Sequence, residues 1–180
     1  MKKPILKMDD NYIIRKAKAS EFEKVGTLLI EVYSILDGFP KKEEQPQYYE
    51  MLKNVGQLTN TKGVELLIAV SKQGQIGGAV VFFNDMKDYG SGGTATQEKN
   101  ASGFRLLGVD PKTRGLGIGK LLTEYCIEKG KQRGSETMVI HTTNAMKLAW
   151  GMYERLGFKR ASDLDFMQGD LSVFGFRLKL

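Results

Sequence analysis

The sequence predicts an α+β domain in which helices pack on one central sheet. Three observations support this prediction. Apolar, β-branched runs and amphipathic segments follow one another in the order β-α-α-β-β-β-α-β-α-β, which is typical of a single sheet with helices on its faces. The chain has 180 residues, a length that fits one domain. No internal repeat or linker divides the sequence, so we expect residues 1–180 to form a single domain.

The first predicted strand and the first two helices lie in the N-terminal third. Tyr12–Lys16 alternates between apolar and polar residues, which predicts a short strand. Ser20 and Glu23 form the Ser-x-x-Glu pattern of a capping box, which predicts the start of the first helix. A second helix is predicted over Lys42–Leu58, broken or delayed by Pro46 because proline lacks a backbone donor.

Two strands and a long loop are predicted next. Val64–Val70 is rich in apolar and β-branched residues, and Gln75–Phe83 follows it after a turn at Gln73 and Gly74, which predicts a hairpin. Asp85–Ser102 is polar and rich in Gly, Ser, Thr and Lys, which predicts a loop. Loops of that length are usually functional or mobile.

The C-terminal half alternates strands and helices. A strand is predicted over Phe104–Val109, followed by an amphipathic helix over Ile118–Arg133 that a glycine closes. A strand, a helix and a final strand complete the prediction, over Met138–His141, Ala145–Leu156 and Val173–Leu180.

Composition excludes several classes of protein. The single cysteine, Cys126, excludes an intrachain disulfide framework and a cysteine-based zinc cluster, and we expect no metal. The single histidine, His141, excludes a Ser-His-Asp triad anywhere except around that residue. No apolar run reaches the roughly 18 residues of a membrane span, and no apolar segment precedes Asp9, so we expect a cytoplasmic protein without a membrane partner. The net charge of +6 is compatible with a phosphorylated small ligand. Because basic residues are scattered among acidic ones, we expect no nucleic-acid partner.

A glycine-rich turn is the most informative segment. Gly115, Gly117 and Gly119 lie between a predicted strand and a predicted helix. They leave backbone N–H groups uncovered at the positive end of the helix dipole, which predicts a pyrophosphate site. The P-loop pattern and the dinucleotide fingerprint both fail, since Arg114 and Lys120 replace glycines that those motifs require. A tight turn without a ligand is the alternative interpretation.

Two motifs in this half of the chain resemble those of the GNAT superfamily of acyl-CoA-dependent N-acetyltransferases. Residues 114–119, RGLGIG, resemble its R/Q-x-x-G-x-G/A pyrophosphate signature. Residues 149–158, AWGMYERLGF, resemble its A-x-x-x-Y-E-x-x-G-F segment. The predicted element order is also that of the family. The resemblance implies three layers around a mixed, mostly antiparallel sheet, whose fourth and fifth strands splay apart to hold acetyl-CoA.

The resemblance also implies which residues contact acetyl-CoA. Backbone groups of the fourth strand would pair with the pantetheine arm, and amides of the glycine-rich turn would hold the pyrophosphate. The implied contacts are Leu107, Gly108, Val109, Arg114, Gly115, Leu116, Gly117, Ile118, Gly119, Lys120 and Met146. Met146 stands where the family usually has an asparagine, and Asn144 is an alternative only if the loop is longer.

Tyr153 matches the family tyrosine that protonates the leaving thiolate. A phenol holds its proton at neutral pH, as a general acid must. The alternative is that Tyr153 only packs on the apolar face of its helix. The resemblance implies direct attack by a primary amine in a ternary complex. Cys126 lies on a predicted buried stripe, which argues against an acyl-cysteine intermediate.

The acceptor is predicted from residues near the expected gap. Arg105 stands where the family often has a glutamate, and an arginine binds a carboxylate well. We therefore expect a small amine bearing a carboxylate; the alternative is that Arg105 faces solvent or a structural acid. Tyr33 belongs to an aromatic group in the first helices that the resemblance places over the acceptor. The other members of that group are Phe39, Tyr48 and Tyr49.

The general base and one alternative function stay open. The base is His141, water, none, or one of the acidic residues Glu65, Asp85, Asp163 and Asp165. Because Met146 and Arg105 depart from the family pattern, a non-catalytic acyl-CoA-binding regulator is the alternative to an enzyme. Homodimers are common in the family, so a second copy is a candidate partner.

Overall fold

A nine-stranded sheet forms the centre of the structure, a computed structural model that describes residues 7–8 and 12–180. Its strands are β1 (Lys7–Met8), β2 (Tyr12–Lys16), β3 (Val64–Ser71), β4 (Ile76–Phe83), β5 (Ala101–Val109), β6 (Thr137–Thr142), β7 (Lys159–Arg160), β8 (Phe166–Gln168) and β9 (Leu171–Lys179). The spatial order is β1-β2-β3-β4-β5-β6-β9-β7, and β8 pairs with β9. β5 and β6 run parallel, while the other pairs in the described chain are antiparallel. The predicted α+β fold with a mixed, mostly antiparallel sheet is confirmed.

Helices cover both faces of this sheet. They are α1 (Phe22–Ser34), α2 (Pro46–Lys53), α3 (Ile118–Gln132) and α4 (Lys147–Arg155). On β3, Leu66 and Ile68 pack with α1 and α2 on one face, while Leu67 packs with α3 and α4 on the other. Successive strand residues point to opposite faces, so a strand buried on both faces is apolar throughout. The three layers that the family resemblance implied are therefore present.

Two helices begin later than predicted: α1 at Phe22, and α4 at Lys147 instead of Ala145. Pro46 is the first residue of α2, so the second helix is delayed as predicted. The predicted capping box of Ser20 and Glu23 is wrong, because α1 begins at Phe22 after a 3-10 turn. Glu21 takes this role instead: its carboxylate accepts the backbone N–H of residue 18 at 2.8 Å and is held by two hydrogen bonds from Arg15 at 2.8 and 3.0 Å.

β5 begins three residues earlier than predicted, at Ala101 instead of Phe104. Its first residues, 101–103, pair in parallel with Thr137–Val139 of β6. Beyond Gly103 the two strands no longer pair. The fourth and fifth predicted strands, which are β5 and β6, therefore splay apart, and the gap opens where β5 runs on from Phe104 to Val109.

Three short strands escaped the sequence prediction. β1, β7 and β8 have only two or three residues each, which is too short for an alternating pattern to be recognised. In the described part of the chain, no helix combines the length and the apolarity needed to cross a membrane. No group of three or more metal-ligating side chains occurs among the same residues.

Candidate active site

A cavity of about 980 Å³ opens in the gap between β5 and β6. Its wall brings together predicted site residues that are as far apart in sequence as Tyr33 and Tyr153. The predicted residues in the wall are Tyr33, Arg105, Leu107, Gly108, Val109, Arg114, Gly115, Gly117, Ile118, Gly119, Lys120, Met146 and Tyr153. Leu116 lies outside this wall, and its side chain is 45% exposed.

The glycine-rich turn forms one end of the cavity. Gly115 and Gly117 have φ values of +85° and +76°, a region that costs other residues about 1–2 kcal/mol. The first helical hydrogen bond of α3 runs from the Leu121 N–H to the Gly117 carbonyl at 3.0 Å, so the preceding amides have no acceptor within the helix. A Cβ at Gly115 would meet no atom within 4 Å, and no acidic residue lies in the first turn of α3. This end of the cavity therefore fits an anionic group such as a pyrophosphate.

A β-bulge shapes the strand beside the gap. Ala79 pairs with Gly108 and Val81 with Arg105, so two residues of β5 face one residue of β4. Leu106 has a φ of +61° although it is 6% exposed and carries a large side chain. Such strain persists only where surrounding structure enforces it, and it concentrates at functional sites. Because the pairing of β5 with β6 ends at Gly103, backbone groups of the bulged segment lie beside the open gap.

The Leu107 carbonyl, next to Leu106 in the bulge, accepts a hydrogen bond from a helix. Tyr33 of α1 donates its hydroxyl to the Leu107 carbonyl at 3.1 Å. Burial raises the pKa of Tyr33 well above its ordinary value, so this hydroxyl stays a donor. Tyr33 therefore ties α1 to the bulge, and its ring is what remains to line the cavity.

Tyr153 lies on α4, where its ring belongs to the core and also contributes to the cavity wall. The ring is 4% exposed and packs against Phe104 and Phe158, at centroid distances of 6.0 and 5.6 Å. Its hydroxyl forms no hydrogen bond with any residue in 12–180. Burial raises the pKa of Tyr153 far above that of a free phenol, so the group carries its proton at neutral pH. Packing and proton donation are thus compatible at this residue.

The segment before α4 carries both candidates for the contact that the family usually makes through asparagine. Asn144 and Met146 line the same cavity. Asn144 is exposed, whereas the Met146 sulfur lies 3.6 Å from the Thr142 hydroxyl, which donates to it. The amide of Asn144 is thus available to a ligand from a position two residues earlier than expected.

Arg105 lines the cavity with no carboxylate partner in the described chain. One guanidinium nitrogen donates to the Tyr89 carbonyl at 2.9 Å, and the guanidinium carbon lies 5.5 Å from the centre of the Tyr89 ring. None of the ion pairs formed by residues 12–180 includes Arg105. Tyr89 therefore orients a half-buried guanidinium whose remaining donors are free for an anion.

His141 holds Tyr89 in turn. Its Nε2 lies 2.8 Å from the Leu164 carbonyl, and its Nδ1 lies 3.0 Å from the Tyr89 hydroxyl. Because a carbonyl only accepts, Nε2 carries the proton and Nδ1 accepts from Tyr89. Burial lowers the pKa of His141, so the ring is neutral at pH 7. Both nitrogens are engaged, and His141 takes a proton from a substrate only by giving up its bond to Tyr89.

Comparisons with known proteins agree with this geometry. Residues 29–158 match the acetyltransferase (GNAT) family, over more than half of the chain. The chain belongs to the GNAT family. A mycothiol acetyltransferase from Cellulomonas flavigena is 36% identical over 64 residues, which are 36% of this chain and only 18% of that protein.

Two solved structures share the GNAT fold with this chain. A GNAT-family acetyltransferase from Staphylococcus aureus Mu50 superposes with a TM-score of 0.71 at 18% identity, covering 94% of this chain and 99% of that one. The protein yncA from Salmonella typhimurium, solved with acetyl-CoA, superposes with a TM-score of 0.62 at 18% identity, covering 94% of each chain. At this identity the likeness establishes the fold alone.

The acidic residues considered as bases for a GNAT reaction lie outside the cavity. Glu65 is buried between two lysines, and Asp85 caps a 3-10 turn. Asp163 and Asp165 each pair with an arginine. Of the acidic residues described, only Asp37 lines the wall, and it is exposed. Within the described chain no buried carboxylate is placed to take the amine proton.

Cys126 has the surroundings of a core residue and not of a nucleophile. It is 0% exposed and packs in the cluster beneath α3 and α4, away from the cavity wall. Burial raises the pKa of its thiol far above the ordinary value, so the reactive thiolate is absent at neutral pH. This environment is consistent with direct transfer.

Tyr89 and Phe166 are among the wall residues that sequence reasoning missed. Tyr89 lies in the long loop before β5 and Phe166 in β8, and both line the cavity. The Phe166 ring packs on His141 at 5.1 Å. Neither residue belongs to a local motif. The length of the loop was the only available signal that Tyr89 is functional.

Proposed function

We propose that this GNAT protein binds acetyl-CoA in the gap between β5 and β6. Three features support this binding mode: the free amides at the start of α3, the bulged edge of β5, and the wall in which both meet. Among the described residues of the wall, the glycine-rich turn contributes two charged side chains, Arg114 and Lys120, and both are basic. The Salmonella protein solved with acetyl-CoA has the same fold. Acetyl-CoA supplies the activated acyl group.

The proposed reaction transfers the acetyl group to a primary amine by direct attack in a ternary complex. The observation that carries it is the Tyr153 hydroxyl, which is protonated, has no hydrogen-bond partner among the described residues and lies in the same cavity as the glycine-rich turn. As the new C–N bond forms, the C–S bond breaks and Tyr153 donates its proton to the thiolate sulfur. The proton released by the amine passes to water, and water returns a proton to the Tyr153 phenolate.

The acceptor that we propose carries a carboxylate as well as the amine. Arg105 is the support for this step, because a half-buried guanidinium without an ionic partner favours an anion strongly. In the described chain the wall places no acidic side chain beside it, since Asp37, the one acid of the wall, forms no ion pair with it. A substrate carboxylate would fill that place.

A thiol-release assay with a panel of primary amines tests the function directly. We expect release of CoA and an acetylated product by mass spectrometry, with amines that bear a carboxylate used best. Calorimetry with CoA measures cofactor binding separately. Tight CoA binding without turnover on any amine would contradict the enzyme and support a non-catalytic acyl-CoA-binding regulator. That second function is favoured by one observation, namely that both nitrogens of His141 are already hydrogen-bonded.

A further inference from the structure

An aromatic cluster forms the acceptor side of the cavity. Tyr33, Phe39 and Tyr48 pack as a triangle, with centroid distances of 5.3, 6.1 and 5.6 Å. All three line the cavity wall, although Phe39 is only 4% exposed. Because Tyr33 commits its hydroxyl to a backbone carbonyl, the cluster offers the cavity mainly ring surface. Such a surface binds apolar and aromatic groups.

Tyr48 adds a second polar group near Arg105. Its hydroxyl forms no hydrogen bond within residues 12–180. Burial raises the pKa of Tyr48 to about 12, and the positive charge of Arg105 acts in the opposite direction. The phenol therefore remains a proton donor at neutral pH. A guanidinium and a phenol thus face the cavity beside the aromatic cluster, and both prefer a carboxylate oxygen as acceptor.

The segments that border this end of the cavity are joined to each other. The Gln45 amide, just before α2, donates to the Gln168 carbonyl at 3.0 Å, and the Gln168 amide donates back to the Gln45 side chain at 2.5 Å. Gln168 lies at the end of β8 and lines the wall. This link ties the segment before α2 to the β8–β9 hairpin. A free small molecule fits such a closed edge better than an extended polypeptide does.

We propose that the acceptor is a free amino acid with an apolar side chain of aromatic size. Its carboxylate binds Arg105 and Tyr48, its side chain packs on the cluster of Tyr33, Phe39 and Tyr48, and its amine points toward the gap. The inference rests on the proposed function, since it concerns the acceptor of that reaction. The step itself forms the amide C–N bond and breaks the thioester C–S bond; the amine proton goes to water and the sulfur receives the Tyr153 proton.

Matched acceptors separate the three parts of this inference. L-Phenylalanine is compared with L-phenylalaninamide and phenethylamine, which lack the carboxylate charge, with L-lysine, which lacks the apolar side chain, and with the peptide Phe-Gly-Gly. We expect kcat/KM for L-phenylalanine to exceed that for every other compound, by about ten- to a hundredfold over the amide because a charge-assisted, bidentate contact is lost. Equal use of the amide, or better use of L-lysine or the peptide, would overturn the inference while leaving the acetyltransferase intact.

Variants locate the effect in the cavity. We expect Arg105→Gln to give L-phenylalanine and L-phenylalaninamide the same kcat/KM. We expect Tyr48→Phe to reduce the difference in kcat/KM between these two compounds without unfolding the protein. Arg133→Gln is the control, because Arg133 is exposed at the end of α3 and forms no ion pair among the described residues. Calorimetry with L-phenylalanine in the presence of CoA provides a readout independent of turnover. Absence of binding there overturns the inference, while binding that Arg105→Gln weakens supports it. Binding of this kind without acetylation of any amine would contradict the proposed acetyl transfer and not the amino-acid site.

Discussion

Replacing Tyr153 by phenylalanine removes one oxygen atom from the centre of the proposed chemistry. The ring that remains keeps its contacts with Phe104 and Phe158. No hydrogen bond within residues 12–180 is broken, because the Tyr153 hydroxyl makes none there. We therefore expect the free energy of unfolding to change by no more than about 0.5 kcal/mol, as for substitutions that remove no structural feature.

The catalytic effect is expected to be far larger. A positioned proton donor contributes about 10²- to 10⁴-fold to a rate, which corresponds to about 3–5 kcal/mol of activation free energy. Because Tyr153 acts on the leaving thiolate only as the C–S bond breaks, its loss lowers kcat and leaves ground-state binding unchanged. Steady-state kinetics with an amine from the panel measure kcat, and calorimetry measures the dissociation constant of CoA.

Tyr125→Phe is the matched control. Tyr125 is 5% exposed on α3, burial raises the pKa of its hydroxyl, and it lies outside the cavity wall. It should therefore retain wild-type turnover. If Tyr153→Phe keeps wild-type kcat as well, Tyr153 is a packing residue and the assignment of the acid is wrong. If Tyr153→Phe instead weakens CoA binding, the hydroxyl acts in the ground state and the reasoning about the transition state fails.

The other predictions concern the cofactor end and stability. Gly117→Ala should weaken CoA binding at least about tenfold in calorimetry, since φ is +76° at the start of α3. Gly134→Ala is the control, because Gly134 has a φ of +78° beyond the other end of the same helix. It should lower the free energy of unfolding about as much as Gly117→Ala does and leave CoA affinity unchanged. Glu65→Gln should lower the free energy of unfolding by about 3 kcal/mol, the low end for a broken buried pair, because the Lys129 side chain is 13% exposed and that of Lys16 is 56% exposed. Thermal unfolding should shift down by about 6–12 °C. At Glu21, a hydrogen-bonded arginine lowers the pKa from 4.5 to about 2, so the stability advantage over Glu21→Gln should be present above pH 4.5 and disappear as the pH falls toward 2, as denaturation at several pH values would show.

The cofactor end of the site was predictable because consecutive residues form it. The amides that face an anion come from one turn, and the positive φ values at Gly115 and Gly117 require glycine, which is visible in the sequence. The strand before the turn and the helix after it follow from local periodicity. The α+β class followed from the order of strands and helices along the whole chain, and the splay of two strands from the family resemblance.

The shape of β5 was not predictable in the same way. Its first residues, 101–103, are polar or small, yet they form a strand because β6 pairs with them in parallel. Leu106 adopts a left-handed backbone although its side chain disfavours it, because the pairing on both sides of the bulge enforces it. The missed capping role of Glu21 has a similar cause, since Arg15 selects it from another element. Partners on other elements of the structure decide all three features.

The acceptor end of the site is formed by residues that lie far apart in the sequence. Arg105 lies in a strand, but the orientation of its guanidinium depends on Tyr89, which accepts a hydrogen bond from it, and on His141, which is hydrogen-bonded to Tyr89. Tyr33 and Tyr48 reach the same cavity from two further helices. A cofactor site made of backbone amides constrains the sequence of one short motif. An acceptor site made of side chains from several elements lets each of those residues vary separately. Substitutions at these five positions should therefore change which amine is used without moving the glycine-rich turn. The family is accordingly recognised from motifs of consecutive residues, whereas the acceptor is inferred from side chains scattered along the chain.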